Sequence, residues 1–332
     1  MAHILRPPRR RFAAPPVALA ALAAVCLLAA PRARAGIPAA SPTPLSPARA
    51  VAVMPLTLHI SPDVTSASVG QVQPGQEVAI LRLAHGYAQV FAGRSGWMLN
   101  RGLVLLNNPQ AAEILFGAAD DLEQRAEQFS GERRAAKGAA RLYYQVYDEF
   151  PHSFRAAEAL YRAAEITWQL DTAGGMTPTS GFSDYDRPSN RLLRKVVSKF
   201  PKTQWAARAE YLHLREKLTC SDWAVKPSCI GKEIGKMRSY WHHYPRSPLA
   251  AEVAYGIVYR EAAAVAIYNH SGPHRNPGKA RDYRRNAYNS IADLQRRWPR
   301  STWAARAALL YYDLQEGIPV GRHQEASAAS AP

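Results

Sequence analysis

Few side chains in this sequence are set out to attack, ligate or exchange protons. Cys220 and Cys229 bracket the loop Cys-Ser-Asp-Trp-Ala-Val-Lys-Pro-Ser-Cys. In an oxidising compartment, a pair closing a short Pro-containing loop reads as a structural disulfide, with a loop-closure contribution of about 2.5 kcal/mol. The competing readings are a metal site, which normally draws on closer cysteines with further Cys or His partners, and a redox pair, which uses Cys-x-x-Cys. His270-Ser-Gly-Pro-His274 has the spacing of two helical metal ligands, but Gly272 and Pro273 forbid that helix, so no metal site is expected. Trp241-His-His-Tyr244 reads as a helix end whose histidines suit the negative C-terminal dipole. There is no nucleophile elbow, Gly-rich phosphate loop or His-Glu-x-x-His. The acids are scattered along helical faces, with no pair placed as general acid and base. The expectation is a non-enzyme with no cofactor.

The elements that must position these residues follow from composition. Forty-seven per cent hydrophobic and 20 % charged residues over 332 positions describe a folded chain with enough apolar surface for more than one core. No apolar run of about 18 residues occurs, which excludes a polytopic membrane protein. Residues 1–35 read as a signal peptide. Arg6, Arg9, Arg10 and Arg11 precede the apolar run from Val17 to Ala30, and Ala33-Arg34-Ala35 supplies the small-x-small cleavage signature before Gly36. Cys26 lies within that run behind Val25, which is too large for a typical lipid-attachment site. The expected mature chain is exported to the periplasm or cell envelope and has no membrane span. Removing the six arginines of 1–35 from the net charge of +16 leaves +10, most of it beyond residue 106. In an exported chain that excess either meets anionic envelope components or serves only solubility; nucleic acid is not an expected partner.

Residues 36–55, rich in Pro, Ala and Ser, read as an extended linker. Alternating segments follow at Leu56–Ile60, Glu77–Leu81 and Tyr87–Phe91, separated by Pro62-Asp63, Pro74-Gly75, His85-Gly86 and Gly93-Arg94, as in a compact all-β unit. The series Leu58-His-Ile-Ser-Pro62, Val69-Gly-Gln-Val72, Pro74-Gly75-Gln-Glu-Val78, Gly86-Tyr-Ala-Gln-Val90 and Gly93-Arg-Ser-Gly-Trp97 resembles the bacterial SH3 domain over 56–106. The resemblance implies a small barrel that contacts cell-wall peptide or peptidoglycan, with His59, Tyr87 and Trp97 as ligand-binding residues. An exposed aromatic would offer a flat stacking face; alternatively Trp97 fills the core and Tyr87 covers a strand edge.

Beyond residue 106 the sequence repeats. Phe150-Pro-His-Ser153, Phe200-Pro-Lys-Thr203, Tyr244-Pro-Arg-Ser247 and Trp298-Pro-Arg-Ser301 share one pattern. Apolar residues five and eight positions before each Pro place one face of a helix that stops at the Pro. The Ser or Thr then caps the next helix, and Pro248 is expected at a first helical position. Positions Pro+5 and Pro+6 are Ala in every unit: Ala156, Ala157, Ala206, Ala207, Ala250, Ala251, Ala304 and Ala305. Small residues of this kind let helices approach closely. The pattern resembles the tetratricopeptide repeat superfamily, in the subgroup of outer-membrane assembly lipoproteins and cell-division coordinators, and implies packing of helix pairs into an array with an envelope protein as partner. The prolines are 50, 44 and 54 residues apart, against about 34 for the family; the surplus falls in 171–189, 219–229 and 269–278.

The expected fold class is multidomain: a small all-β SH3-like barrel at 56–106, then an all-α tetratricopeptide-like array at 107–316 and a disordered tail at 317–332. The expected function is a cell-envelope binding and scaffold protein, with an accessory peptidoglycan hydrolase or amidase-associated protein as the alternative.

Overall fold

A computed structural model describes residues 47–128, 132–172, 190–220 and 222–320. The expected signal peptide, linker residues 36–46 and tail residues 321–332 lie outside them. Seven strands come first: β1 (Ala48–Ala52), β2 (Leu56–His59), β3 (Ser68–Val72), β4 (Glu77–Ala84), β5 (Tyr87–Phe91), β6 (Ser95–Leu99) and β7 (Leu103–Leu105). They form one antiparallel sheet in the order β3-β2-β6-β5-β4-β1-β7. Alternation decides its inner face: Leu58, Val78, Ala88, Val90 and Met98 are buried together in one core. His85 and Gly86 both take positive φ, 48° and 83°, and form the two-residue turn that matches the twist of the β4–β5 hairpin.

The linker expectation is corrected from Pro47 onward. Ala48–Ala52 is a strand between β4 and β7, and its Ala50, Val51 and Ala52 are fully buried. Alanine has weak strand propensity, so composition hid this element. It is held because both faces are covered: Ala50 and Ala52 point into the sheet core, while Val51 and Val104 join the core of the first helices.

Nine helices follow among the described residues: α1 (Ala111–Gln128), α2 (Arg133–Glu149), α3 (Ala156–Thr172), α4 (Asn190–Lys199), α5 (Gln204–Lys217), α6 (Ser228–His243), α7 (Ala250–Asn269), α8 (Pro277–Arg297) and α9 (Thr302–Glu316). The four Pro links join α2 to α3, α4 to α5, α6 to α7 and α8 to α9. Each link repeats the same bonds. The aromatic N–H donates to the carbonyl four residues earlier, as from Phe150 to Val146 and Trp298 to Leu294, and the Ser or Thr N–H donates to the aromatic carbonyl. Phe150, Tyr244 and Trp298 share φ near −130° and ψ near 58°, the non-helical backbone that a following Pro imposes. Thr203 and Ser301 accept from the N–H groups of Ala206 and Ala304, each at 3.1 Å. Pro248 departs from expectation: α7 starts at Ala250, and the Ser247 hydroxyl accepts from Leu249 N–H instead.

The sheet comes first and the helices follow, and from Pro47 to the end of the described chain they form one compact unit. Val51 and Val104 pack with Leu115, Leu142 and Val146. Arg49 bridges Glu77 of β4 and Glu149 of α2. Gly75, at φ +79°, lies against α2, where a Cβ would meet Arg141 Cβ at 2.5 Å. At the other end, Gly317 closes α9 in the left-handed conformation, and Val320 packs back on the helices. The first four residues of the expected tail therefore belong to the fold.

Candidate functional site

Two faces carry the residues singled out by the sequence. On the sheet, register pairs His59 with Trp97 and Trp97 with Gln89, and Gln89 with Arg82, a row across β2, β6, β5 and β4. Tyr87 lies in the next row, opposite Leu99 and diagonal to Trp97. All these residues point outward because their neighbours Leu58, Met98 and Ala88 fill the core. Trp97 and Tyr87 are half-buried, so Met98, not Trp97, occupies the core position. His59 Nδ1 lies 2.9 Å from the Ser66 carbonyl. A carbonyl only accepts, so the proton sits on Nδ1 in the neutral ring and Nε2 remains an acceptor.

The loop beside this row is closed by its own side chains. Asp63 accepts from the Thr65 N–H at 2.9 Å and hydroxyl at 2.7 Å, which holds its carboxyl below the usual range. Ser66 Oγ donates to the Asp63 carbonyl at 2.8 Å. The row and its neighbour Tyr87 offer one flat indole, one phenol, an imidazole acceptor, an amide and a guanidinium. Such a set can stack on a ring or sugar face and hydrogen-bond a short polar ligand.

The second face is formed by α3, α5, α7 and α9, the helices that follow the Pro links. Position Pro+10 of one unit meets Pro+4 or Pro+7 of the next. Tyr161 packs tilted against Trp205 with ring centres 5.4 Å apart, the Tyr211 hydroxyl donates to Glu252, and Tyr255 packs tilted against Trp303 at 5.3 Å. Arg208 lies over Trp205 at 5.6 Å and Arg306 over Trp303 at 4.9 Å. At the sheet end, Arg162 pairs with Asp120, Glu123 and Glu158, and Tyr143 donates to Glu123 at 2.7 Å. Burial pushes the Glu165 carboxyl up, with the nearby Glu123 charge adding to it and the Tyr161 hydroxyl opposing it. Burial also pushes up the Tyr161 and Tyr211 hydroxyls, so both stay protonated donors.

Arg208 and Arg306 each lie over the Trp at Pro+4 of their own unit. The signal was present, since Trp occupies Pro+4 and Arg occupies Pro+7 together in units two and four, with Glu at Pro+7 in units one and three.

The repeat alanines divide. Ala156, Ala206, Ala250 and Ala304, at Pro+5, are all buried. At Pro+6, Ala207 and Ala251 are buried, Ala157 is half-buried and Ala305 is exposed, which departs from the expectation of equal packing.

Cys220 and Cys229 are joined, with Cα atoms 6.1 Å apart. The loop is anchored on buried Glu233 of α6, which accepts from Cys220 N–H at 3.1 Å and from Arg260 at 2.8 Å. A disulfide persists in an oxidising compartment. Among the described residues, no group of three or more His, Cys, Asp and Glu could hold a metal ion, and no helix is long and apolar enough to cross a membrane. No family model and no curated protein matches the chain.

Proposed function

We propose that the chain is an exported, non-enzymatic scaffold of the cell envelope: an SH3-like sheet that contacts cell-wall peptide or glycan, fused to tetratricopeptide-like repeats that bind an envelope protein. The observation that carries it is the face of α3, α5, α7 and α9, where two aromatic contacts and a Tyr–Glu hydrogen bond alternate from unit to unit and Arg208 and Arg306 lie over tryptophans. Tyr, Trp and Arg are the residues that form strong protein contacts, because they desolvate a large area with little loss of side-chain freedom. The outward row His59–Trp97–Gln89 supports the wall-contact half of the reading, and the disulfide supports export.

The test uses the mature chain with insoluble peptidoglycan and with native envelope crosslinking. Co-sedimentation that falls about tenfold in Trp97→Ala, and a crosslinked partner lost in the double variant Trp205→Ala/Trp303→Ala, are expected. A cleared band in a peptidoglycan zymogram would replace this reading with the hydrolase one. Absence of both co-sedimentation and crosslinking would overturn it outright.

A further inference from the structure

We infer that the C-terminal end of the array contains a binding pocket for a small amphipathic anion. A cavity of about 720 Å³ opens there, within the range of small-molecule sites. Its apolar wall comes from Val265 and Ala266 of α7, Leu314 of α9 and Ile318 beyond the α9 cap. Two of the three segments that make the units longer than the family repeat also line it: the disulfide loop, through Ala224 and Val225, and the loop 269–274. The surplus residues of separate units thus converge on one cavity. Stacking helix pairs does not require them.

Arg284 of α8 also lines the cavity. Its Nε is buried and has no hydrogen-bond partner among the described residues. Its neighbours differ: Arg285 pairs with Asp282, and Arg296 and Arg297 pair with Asp293. A guanidinium with an unmet donor beside aliphatic walls favours a ligand with an apolar body and one carboxylate or similar anion. The other titratable groups in the wall are Asp313, 2 % exposed, and the exposed His270 and His274. Asp313 opposes an anion, so charge preference is the decisive reading. The disulfide gives the site a second property. Cys220–Cys229 fixes the loop that presents Val225, so reduction should loosen one wall.

Calorimetric titration of the full mature chain tests this with three eight-carbon probes: octanoate, octylammonium and octanol. Octanoate should bind at one site, and more tightly than either of the others. Arg284→Gln should weaken octanoate about tenfold and leave octanol unchanged, whereas Arg284→Lys should retain the preference for the acid. Ala266→Phe should abolish binding of all probes, with an unchanged circular dichroism spectrum showing that the fold persists. Reductant should weaken octanoate binding. Octylammonium binding as tightly as octanoate would give the pocket to Asp313 and overturn the proposal, as would an unchanged affinity in Arg284→Gln or no binding of any probe. None of these outcomes bears on the sheet or on the α3–α9 face, so the pocket can fail while the scaffold reading stands.

Discussion

The two inner units of the helical array and its last unit share one sequence code but not one environment. Ala207 of α5 and Ala251 of α7 are buried, whereas Ala305 of α9, at the same position, is exposed. Tyr211 and Tyr255, at Pro+10, reach the next unit; Leu309, at Pro+10 of α9, is 63 % exposed. The Pro+5 alanines are buried in all four units, burial at Pro+6 varies along the array, and the Pro+10 tyrosines of the first three units reach the next one. Where the array stops, the Pro+10 position loses its partner. The opposite end is closed differently, since Val51, Val104 and Gly75 bring the sheet against α1 and α2. Stability in such an array is a sum of unit terms and neighbour terms, and this chain displays the two kinds separately.

The largest effect should come from breaking the closed end. Gly75→Val combines a positive φ with a Cβ set against Arg141, and should destabilise by about 2–4 kcal/mol in urea titration. A loss below about 1 kcal/mol would mean that the sheet does not close the array. Next, the double variant Cys220→Ser/Cys229→Ser should cost about 2.5 kcal/mol, with the same shift produced in the wild type by reductant. A smaller shift with reductant than with the variant would show that the loop keeps its anchor on Glu233 without the bond.

The neighbour terms can be separated by one substitution at three equivalent positions. Ala207→Leu and Ala251→Leu should each cost about 1–3 kcal/mol by overpacking, while Ala305→Leu should change stability by less than about 0.5 kcal/mol. Equal melting points for all three would abolish the distinction between inner and terminal units.

The smallest effect concerns pH at the Tyr161–Glu165 junction. Burial raises the folded-state pKa of Glu165 above its unfolded value, so its charge opposes folding when pH lies above both values. That penalty disappears as pH falls through the folded pKa. Glu165→Gln should therefore melt higher than wild type at pH 7–8, and the gap should narrow as pH approaches the ordinary glutamate range of about 4.3. A gap that widens on acidification would reverse the sign and give Glu165 a net favourable charge interaction.

What could be read from the sequence was what is fixed locally. A Pro that ends a helix and a Ser or Thr that caps the next act within five residues, so Phe150–Ser153 and Trp298–Ser301 announce their own geometry. Strict alternation likewise carried His59, Tyr87 and Trp97 to one face of the sheet. What stayed hidden depends on distant cover. Ala48–Ala52 is a strand because β4, β7 and the first helices enclose it, and an Ala- and Pro-rich segment gives no local sign of that. The pocket was hidden for the same reason, since Val225, Ala266, Arg284 and Ile318 meet only after several units have stacked. Exposure of Ala305 follows from array length, which no single position records.

The Pro links have a consequence for how such a chain can change. Three of the four Pro links share one cap conformation, which fixes the turn between their paired helices. In the sequence, the segments 171–189, 219–229 and 269–278 that separate one pair from the next differ in length and share no code. Each doubling of a flexible loop costs only about 0.6 kcal/mol in closure entropy. Length can therefore accumulate between pairs, one unit at a time, while the links within pairs keep their geometry. Such a fold divides its tolerance of change by location: links held to one geometry, and intervening segments open to new recognition.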